Sequence, residues 1–252
     1  MERIAVISDI HGNATALEAV IKDIRRRRIK RIICLGDLAG KGPQPAEAVD
    51  RIREVCESVV QGNWDLGINL PQDKEGGIWQ QEKLGAERLE YLNTLPFSID
   101  LSLSGKWIRL FHASPQSVNT RVNRKASKKE KLAMFQHTEM TARPDFAGSD
   151  ERIPDIVVYG DIHVPYMQMI KSKEKKGLLL YNVGSVGAPY DGIPQASYGI
   201  LEGTSDAAGD EPYSIQLVRV PYDVDKAIAA AEQENMPGLE RLRYELTTGL
   251  EQ

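Results

Sequence analysis

The feature that most constrains the fold is an alternation of β-branched runs with helix-periodic segments in the first third of the chain. Arg3–Ile7 is an apolar run, and Asn13 can cap a helix whose apolar positions Leu17, Val20, Ile21 and Ile24 follow at helical spacing. Arg31–Leu35 is a second run. Pro43 and Pro45 can open a second helix carrying Val49, Ile52 and Cys56, and Ser58–Val60 reads as a third, short strand. Strand, helix, strand, helix, strand in this order implies parallel strands joined by right-handed crossovers.

The pattern then changes. Glu82–Leu95 reads as a helix with Leu84, Leu89 and Leu92 on one face. Phe97, Ile99, Leu101 and Leu103 alternate strictly, and Ser104-Gly105-Lys106 leads into Trp107–Phe111, which predicts an antiparallel hairpin. Ser114–Lys131 is polar and basic, a loop running into a short helix. Asp155–Tyr159, Met167–Ile170, Leu178–Val183, Ser197–Leu201 and Ile215–Val220 are further strands. Two helices, about 223–234 and 237–249, close the chain, separated by Met236-Pro237-Gly238. The expectation is an α/β fold of two packed mixed β-sheets flanked by helices, a parallel half followed by a mostly antiparallel one, in a single domain over residues 1–252 with its C-terminal helices at about 223–249.

Composition narrows the class. In 252 residues, 41% are hydrophobic and 27% charged, as in ordinary globular chains, which argues against fibrous or disordered readings. No apolar run approaches the roughly 20 residues that span a bilayer, and the N-terminus lacks the apolar core of a signal peptide. Cys34 and Cys56 are too few for a disulfide framework and read as buried reduced thiols. A cytoplasmic protein with no membrane partner is expected, its oligomeric state open. The net charge of −4 weighs against nucleic acid as the main partner.

The chemistry lies where strands end. Asp9 and His11 follow the first strand, Asp37 the second, and Asn63 the third in Gly62-Asn63-Trp64-Asp65. His112 follows the hairpin, and Asp161 and His163 follow the strand ending at Tyr159. Five strands thus deliver metal-capable side chains at their carboxyl ends, the edge at which open α/β sheets bind ligands. Taken singly, each has a plainer reading as a cap, a turn pair or a hydrogen-bonded structural histidine; their common placement is what points to a site.

The order of these residues resembles the calcineurin-like metallophosphoesterases, whose signature runs Asp-X-His, Gly-Asp, Gly-Asn-His-Asp/Glu, His, Gly-His-X-His. The turn Asn182-Val183-Gly184-Ser185 and the segment Val220-Pro221-Tyr222-Asp223 are similar to the small bacterial and archaeal phosphodiesterase-like members. The resemblance implies a four-layer α-β-β-α sandwich and two divalent metal ions. One would be held by Asp9, His11, Asp37 and His163, the other by Asp37, Asn63, His112 and Asp161, with Asp37 bridging. It also implies that Asp37, Asn63, Trp64, Asp65 and His112 form the catalytic set. Mixed imidazole and carboxylate ligands favour Mn²⁺, with Fe, Zn, Ni or Mg as alternatives.

Two positions depart from the signature. Trp64 stands in place of the histidine of Gly-Asn-His, and indole is a donor only, unable to protonate a leaving oxygen. Asp161 replaces the first histidine of Gly-His-X-His, adding negative charge and hardness. The resemblance, with Trp64, implies a two-metal hydrolase of phosphodiesters or nucleotide phosphoanhydrides such as dinucleoside polyphosphates, its partner a small phosphorylated substrate of the nucleotide kind. The competing readings are a phosphomonoesterase of the protein serine/threonine phosphatase type and a catalytically weakened scaffold that binds a nucleotide or a partner. Of the remaining features, Arg25–Arg28 complements a helix C-terminus, and the basic run Arg121–Lys131 is either a phosphate-binding lip or an exposed loop. Trp79 and Trp107 read as packing, and His137 as a surface residue on a short helix.

Overall fold

The computed structural model describes residues 1–141, 144–145, 152–172 and 177–252. The first sheet holds β1 (Glu2–Ile7), β2 (Arg31–Cys34) and β3 (Ser58–Val59), all parallel, linked by α1 (Ala14–Arg26) and α2 (Pro45–Val55). After α3 (Asn63–Gly67) and α4 (Glu75–Asn93) the chain enters a second sheet. Its strands are β4 (Ser98–Leu103), β5 (Lys106–Phe111), β6 (Ile156–Tyr159), β7 (Tyr166–Ile170) and β8 (Leu178–Asn182), in spatial order β4-β5-β6-β8-β7, with α5 (Lys128–Ala133) between β5 and β6 in sequence. β9 (Ala196–Gly203) and β10 (Ser214–Val220) return to the first sheet, giving β10-β9-β1-β2-β3, before α6 (Val224–Gln233) and α7 (Leu239–Thr248).

Each sheet is therefore mixed. β9 runs antiparallel to β1, whereas β5, β6 and β8 are mutually parallel. The expected division into a parallel half and an antiparallel half is corrected by this exchange. A strand pattern records burial, and β9 is buried on both faces in either sheet.

Alternation along β1 builds the layers. Ala5 and Ile7 face α1 and α2, where Leu17, Val20, Ile24, Val49 and Ile52 are buried. Ile4 and Val6 face the second sheet and meet Ile108, Leu110, Ile156, Val158 and Tyr181. Each such side chain contributes about 1.5–3 kcal/mol on burial. The far face of the second sheet is covered by Met134 and Phe135, next to the short helix α5. α1 begins as expected: the Asn13 Oδ1 accepts from the Ala16 N–H at 3.0 Å, while its amide donates to the Gly187 carbonyl at 3.0 Å.

Three local expectations change. α4 begins at Glu75, seven positions before the apolar periodicity, and Gly85 interrupts its dihedrals at φ 68°. Cys56 caps α2 and is half-buried, because the chain turns out toward Ser58 there. His137 lies off any helix, half-buried, its ring 5.3 Å from that of Trp107. No helix among the described residues is long and apolar enough to cross a membrane.

Candidate metal centre

The carboxyl ends of β1, β2, β3, β5 and β6 converge along one rim. Asp9, His11, Asp37, His112, Asp161 and His163 are all buried there. Two groups of ligand atoms form, Asp9 with His11 and His163, and Asp9 with Asp37 and His112, the atoms of each group lying within 4.8 Å of one another. Asp9 is common to both groups, and the Asp37 Oδ2 lies 3.5 Å from the His11 Nε2 and 3.4 Å from the His112 Nε2. The Asn63 Oδ1 is 2.9 Å from the His112 Nε2. The Asp161 Oδ1 is 3.9 Å from the same nitrogen, at the edge of the cluster.

The backbone is bent to present these groups. Asp9, His11, Asp37, Asp161 and His163 all have φ between 48° and 64°, the left-handed region that non-glycine residues avoid. Such positions cost on the order of 1–3 kcal/mol each and persist where the surroundings over-determine them. All five are Asp or His, types that enter this region more readily than other non-glycine residues.

Three histidines are oriented identically. The Nδ1 of His11 lies 3.1 Å from the Ala39 carbonyl, that of His112 2.7 Å from the Leu35 carbonyl and that of His163 2.5 Å from the Ala188 carbonyl. A carbonyl only accepts, so each Nδ1 carries a hydrogen and each Nε2 turns inward, that of His112 toward the acceptors Asn63 Oδ1 and Asp37 Oδ2, where it holds a proton that a cation would displace. The Nε2 atoms of His11 and His163 face each other at 3.1 Å, two acceptors with nothing to share. The buried Asp9 Oδ1 has no hydrogen-bond partner. Divalent cations fit this donor set: each would satisfy lone pairs that the protein leaves unpaired.

The electrostatics agree. Burial pulls the His112 imidazolium down, but Asp37, then Asp9 and Asp161, outweigh it and hold its pKa up at about 10. Burial lowers His11 to about 3, against the pull of Asp37. Asp9 is held well below the usual carboxylate range because His163, then His112 and His11, overcome its desolvation. The site calls for positive charge, supplied by protons or by metal.

Residues 2–206 match the family described as the calcineurin-like phosphoesterase superfamily domain. The chain belongs to that superfamily. As a member it is a metal-dependent phosphoesterase, on a fold the family shares. A metallophosphoesterase from Sphaerobacter thermophilus superimposes over 99% of both chains with a TM-score of 0.75 and 27% identity. The chain is also 34% identical to an uncharacterised protein of Methanocaldococcus jannaschii, over 93% of each. It is 23% identical to the phosphodiesterase YfcE of Escherichia coli, over 80% of this chain and 88% of that one.

Against the superfamily signature, the two departures have distinct surroundings. The Trp64 backbone N–H donates to the Asp37 Oδ1 at 2.8 Å, and the Trp64 ring meets that of His11 edge-on at 5.8 Å between centroids. Its outer part is exposed, at 36%. Asp161 is met by Arg121, whose Nε donates to the carboxylate at 3.2 Å, so the first residue of the basic run reaches the site. Lys131 does not; it is buried and donates to the Arg124 carbonyl and the Gln168 side chain.

Asp65 is corrected from a catalytic residue to a positioning one. It is fully buried and accepts the backbone N–H groups of Asp37, Leu38 and Gly62 at 2.8, 2.9 and 2.9 Å, which leaves its carboxylate no access to substrate. Sequence reasoning missed Lys41 and Tyr190. The Tyr190 ring stacks on His163 at 4.6 Å, the Lys41 Nζ donates to the Tyr190 oxygen at 2.7 Å, and the Tyr190 hydroxyl donates to the buried Glu245 of α7 at 2.7 Å. Neither lies in a motif, so only the approach of α7 to the rim finds them.

Proposed function

We propose that the chain hydrolyses phosphodiester or phosphoanhydride bonds in small nucleotide-like substrates, using two divalent cations, with Mn²⁺ favoured. The observation that carries this reading is the set of buried, inward-turned Nε2 atoms, with the Asp37 Oδ2 between His11 and His112. Two bound dications would activate water and neutralise charge on the phosphoryl oxygens. Asp9, His11, Asp37 and His163 would hold one ion, and Asp37, Asn63, His112 and Asp161 the other, Asp37 bridging.

The protein's own groups set the reaction class. Arg121 offers N–H groups beside Asp161 and can hold a phosphoryl oxygen. Trp64 brings no acid to the leaving oxygen, so leaving groups that depart as stable anions are favoured: the phosphate of an anhydride, or an acidic alcohol of a diester. That argues against a phosphatase acting on alkyl phosphoserine or phosphothreonine. The retention of every candidate ligand, five of them in costly backbone conformations, argues against a decayed scaffold. The working location is the cytoplasm and the partner a small molecule, since a chain of net charge −4 does not suit nucleic acid.

The test is a substrate panel on Mn²⁺-reconstituted protein: bis(p-nitrophenyl) phosphate, p-nitrophenyl phosphate, diadenosine tetraphosphate and a phosphopeptide. The diester and the anhydride should exceed the phosphopeptide in kcat/KM by at least about a hundredfold, the lower end of the range for a missing general acid. Asp37→Asn should lose both ions by metal analysis. Preference for the phosphopeptide would overturn the reading.

A further inference from the structure

A cavity of about 450 Å³ opens beside the metal centre, between the start of α4 and the α6–α7 turn. Trp64 is the shared wall, since its indole touches His11 on one side and lines the cavity on the other. The rest of the wall combines Trp79, Met236 and Leu242 with the cations Lys41, Lys74 and Arg241 and the carboxylates Glu75 and Glu245, of which Glu245 pairs with Arg241 at 2.7 Å. Its volume lies within the range of small-molecule sites, which are mostly apolar with a few placed polar groups.

We infer that this cavity receives the nucleoside end of the substrate's leaving group, with that group's remaining phosphate on Lys41. This deepens the reading above and rests on it. Two indoles line the cavity, and stacking of a planar heterocycle on indole tolerates any base. Lys41 lies at the boundary of centre and cavity, its ammonium 5.9 Å from the centroid of the Trp64 ring and hydrogen-bonded to Tyr190. An anion that crosses from the metals to the cavity passes this charge. Lys74 and Arg241 stand farther along the same wall. The size, the indoles and the cations together match a nucleotide and not a simple alkyl or aryl group. The wall from Met236 to Leu242 lies beyond residues 2–206 that match the superfamily, so one side of this pocket is built by the C-terminal helices.

Two variants test it. Trp79→Ala removes an indole. Gly76→Leu fills the cavity from α4, where an added Cβ meets nothing within 4 Å. Binding of ADP, GDP, CDP and UDP to the metal-free protein is followed by calorimetry and tryptophan fluorescence, and thermal melting checks that both variants fold. At least one nucleotide should bind, and both variants should weaken it about tenfold. In Mn²⁺-loaded protein the same variants should lower the ratio of kcat/KM for diadenosine tetraphosphate over bis(p-nitrophenyl) phosphate by a similar factor. No nucleotide binding, or equal binding in folded variants, overturns the cavity assignment even if the diester is cleaved. Failure to cleave any phosphoester would instead overturn the proposed function and leave the binding result to decide the cavity.

Discussion

Trp64 lies flat on Gly40, where a Cβ would fall within 2.3 Å of the indole. A smaller ring at position 64 therefore meets no obstruction, and Trp64→His introduces a proton donor beside Asp37. Its expected effect is a rise in kcat/KM for an alkyl monoester of roughly tenfold or more, with a much smaller change for an aryl diester, since a placed general acid is worth about 10²–10⁴-fold only where the leaving group needs a proton. Equal changes for both substrates would refute the leaving-group argument. His112 supports a second expectation. Its pKa, raised to about 10, keeps it protonated at pH 7 without metal, and a cation must displace that proton to reach the Nε2. Metal binding at pH 7 should thus release about one proton per chain and tighten as pH rises toward 10. Calorimetry in buffers of different ionisation enthalpy reads this directly; a binding enthalpy independent of buffer would refute it.

At the scale of elements, the site depends on how closely strand ends approach. Gly62, after β3, lies so near the loop after β2 that a Cβ there would fall 2.1 Å from the Asp37 Oδ1 and 2.4 Å from the Asp37 nitrogen. Gly62→Ala should push Asp37 out of line, and metal analysis should find less than half the wild-type content while the fold survives. Asp65 does the complementary work from α3, binding three N–H groups of the two loops. Asp65→Ala leaves them buried and unsatisfied, at about 1–3 kcal/mol for each group so stranded, and urea titration should show a loss of several kcal/mol. An unchanged midpoint would mean that water replaces the carboxylate.

Across the whole molecule, cations bound at the rim would tie the two sheets together, because β1 and β2 belong to one and β5 and β6 to the other. Ligands that bind only the folded state stabilise it by mass action, about 2.7 kcal/mol at a hundredfold excess over Kd. For a chain of this size that corresponds to a Tm shift of roughly 5–10 °C. Chelation should lower the Tm by this amount and Mn²⁺ should restore it; a Tm indifferent to both would mean that the folded chain binds no cation at this concentration.

The sequence by itself determined the strand succession, most of the helices though not α3, the buried faces and which metal-capable residues follow strand ends. These depend on local periodicity and on residue type at strand ends, which a chain carries whatever its partners are. Asn13 as a cap and Ser104-Gly105 as a hairpin turn were legible for the same reason. Tertiary structure alone decided the return of β9 and β10 to the first sheet, because pairing is a contact between distant segments and leaves no trace in the pattern of either. It also decided that Asp65 serves backbone N–H groups, that Arg121 reaches Asp161, and that Lys41, Tyr190 and Glu245 link α7 to the rim. Each of these facts concerns which groups a folded backbone turns toward one another, and the left-handed dihedrals of the candidate ligands exist only because the surrounding packing enforces them.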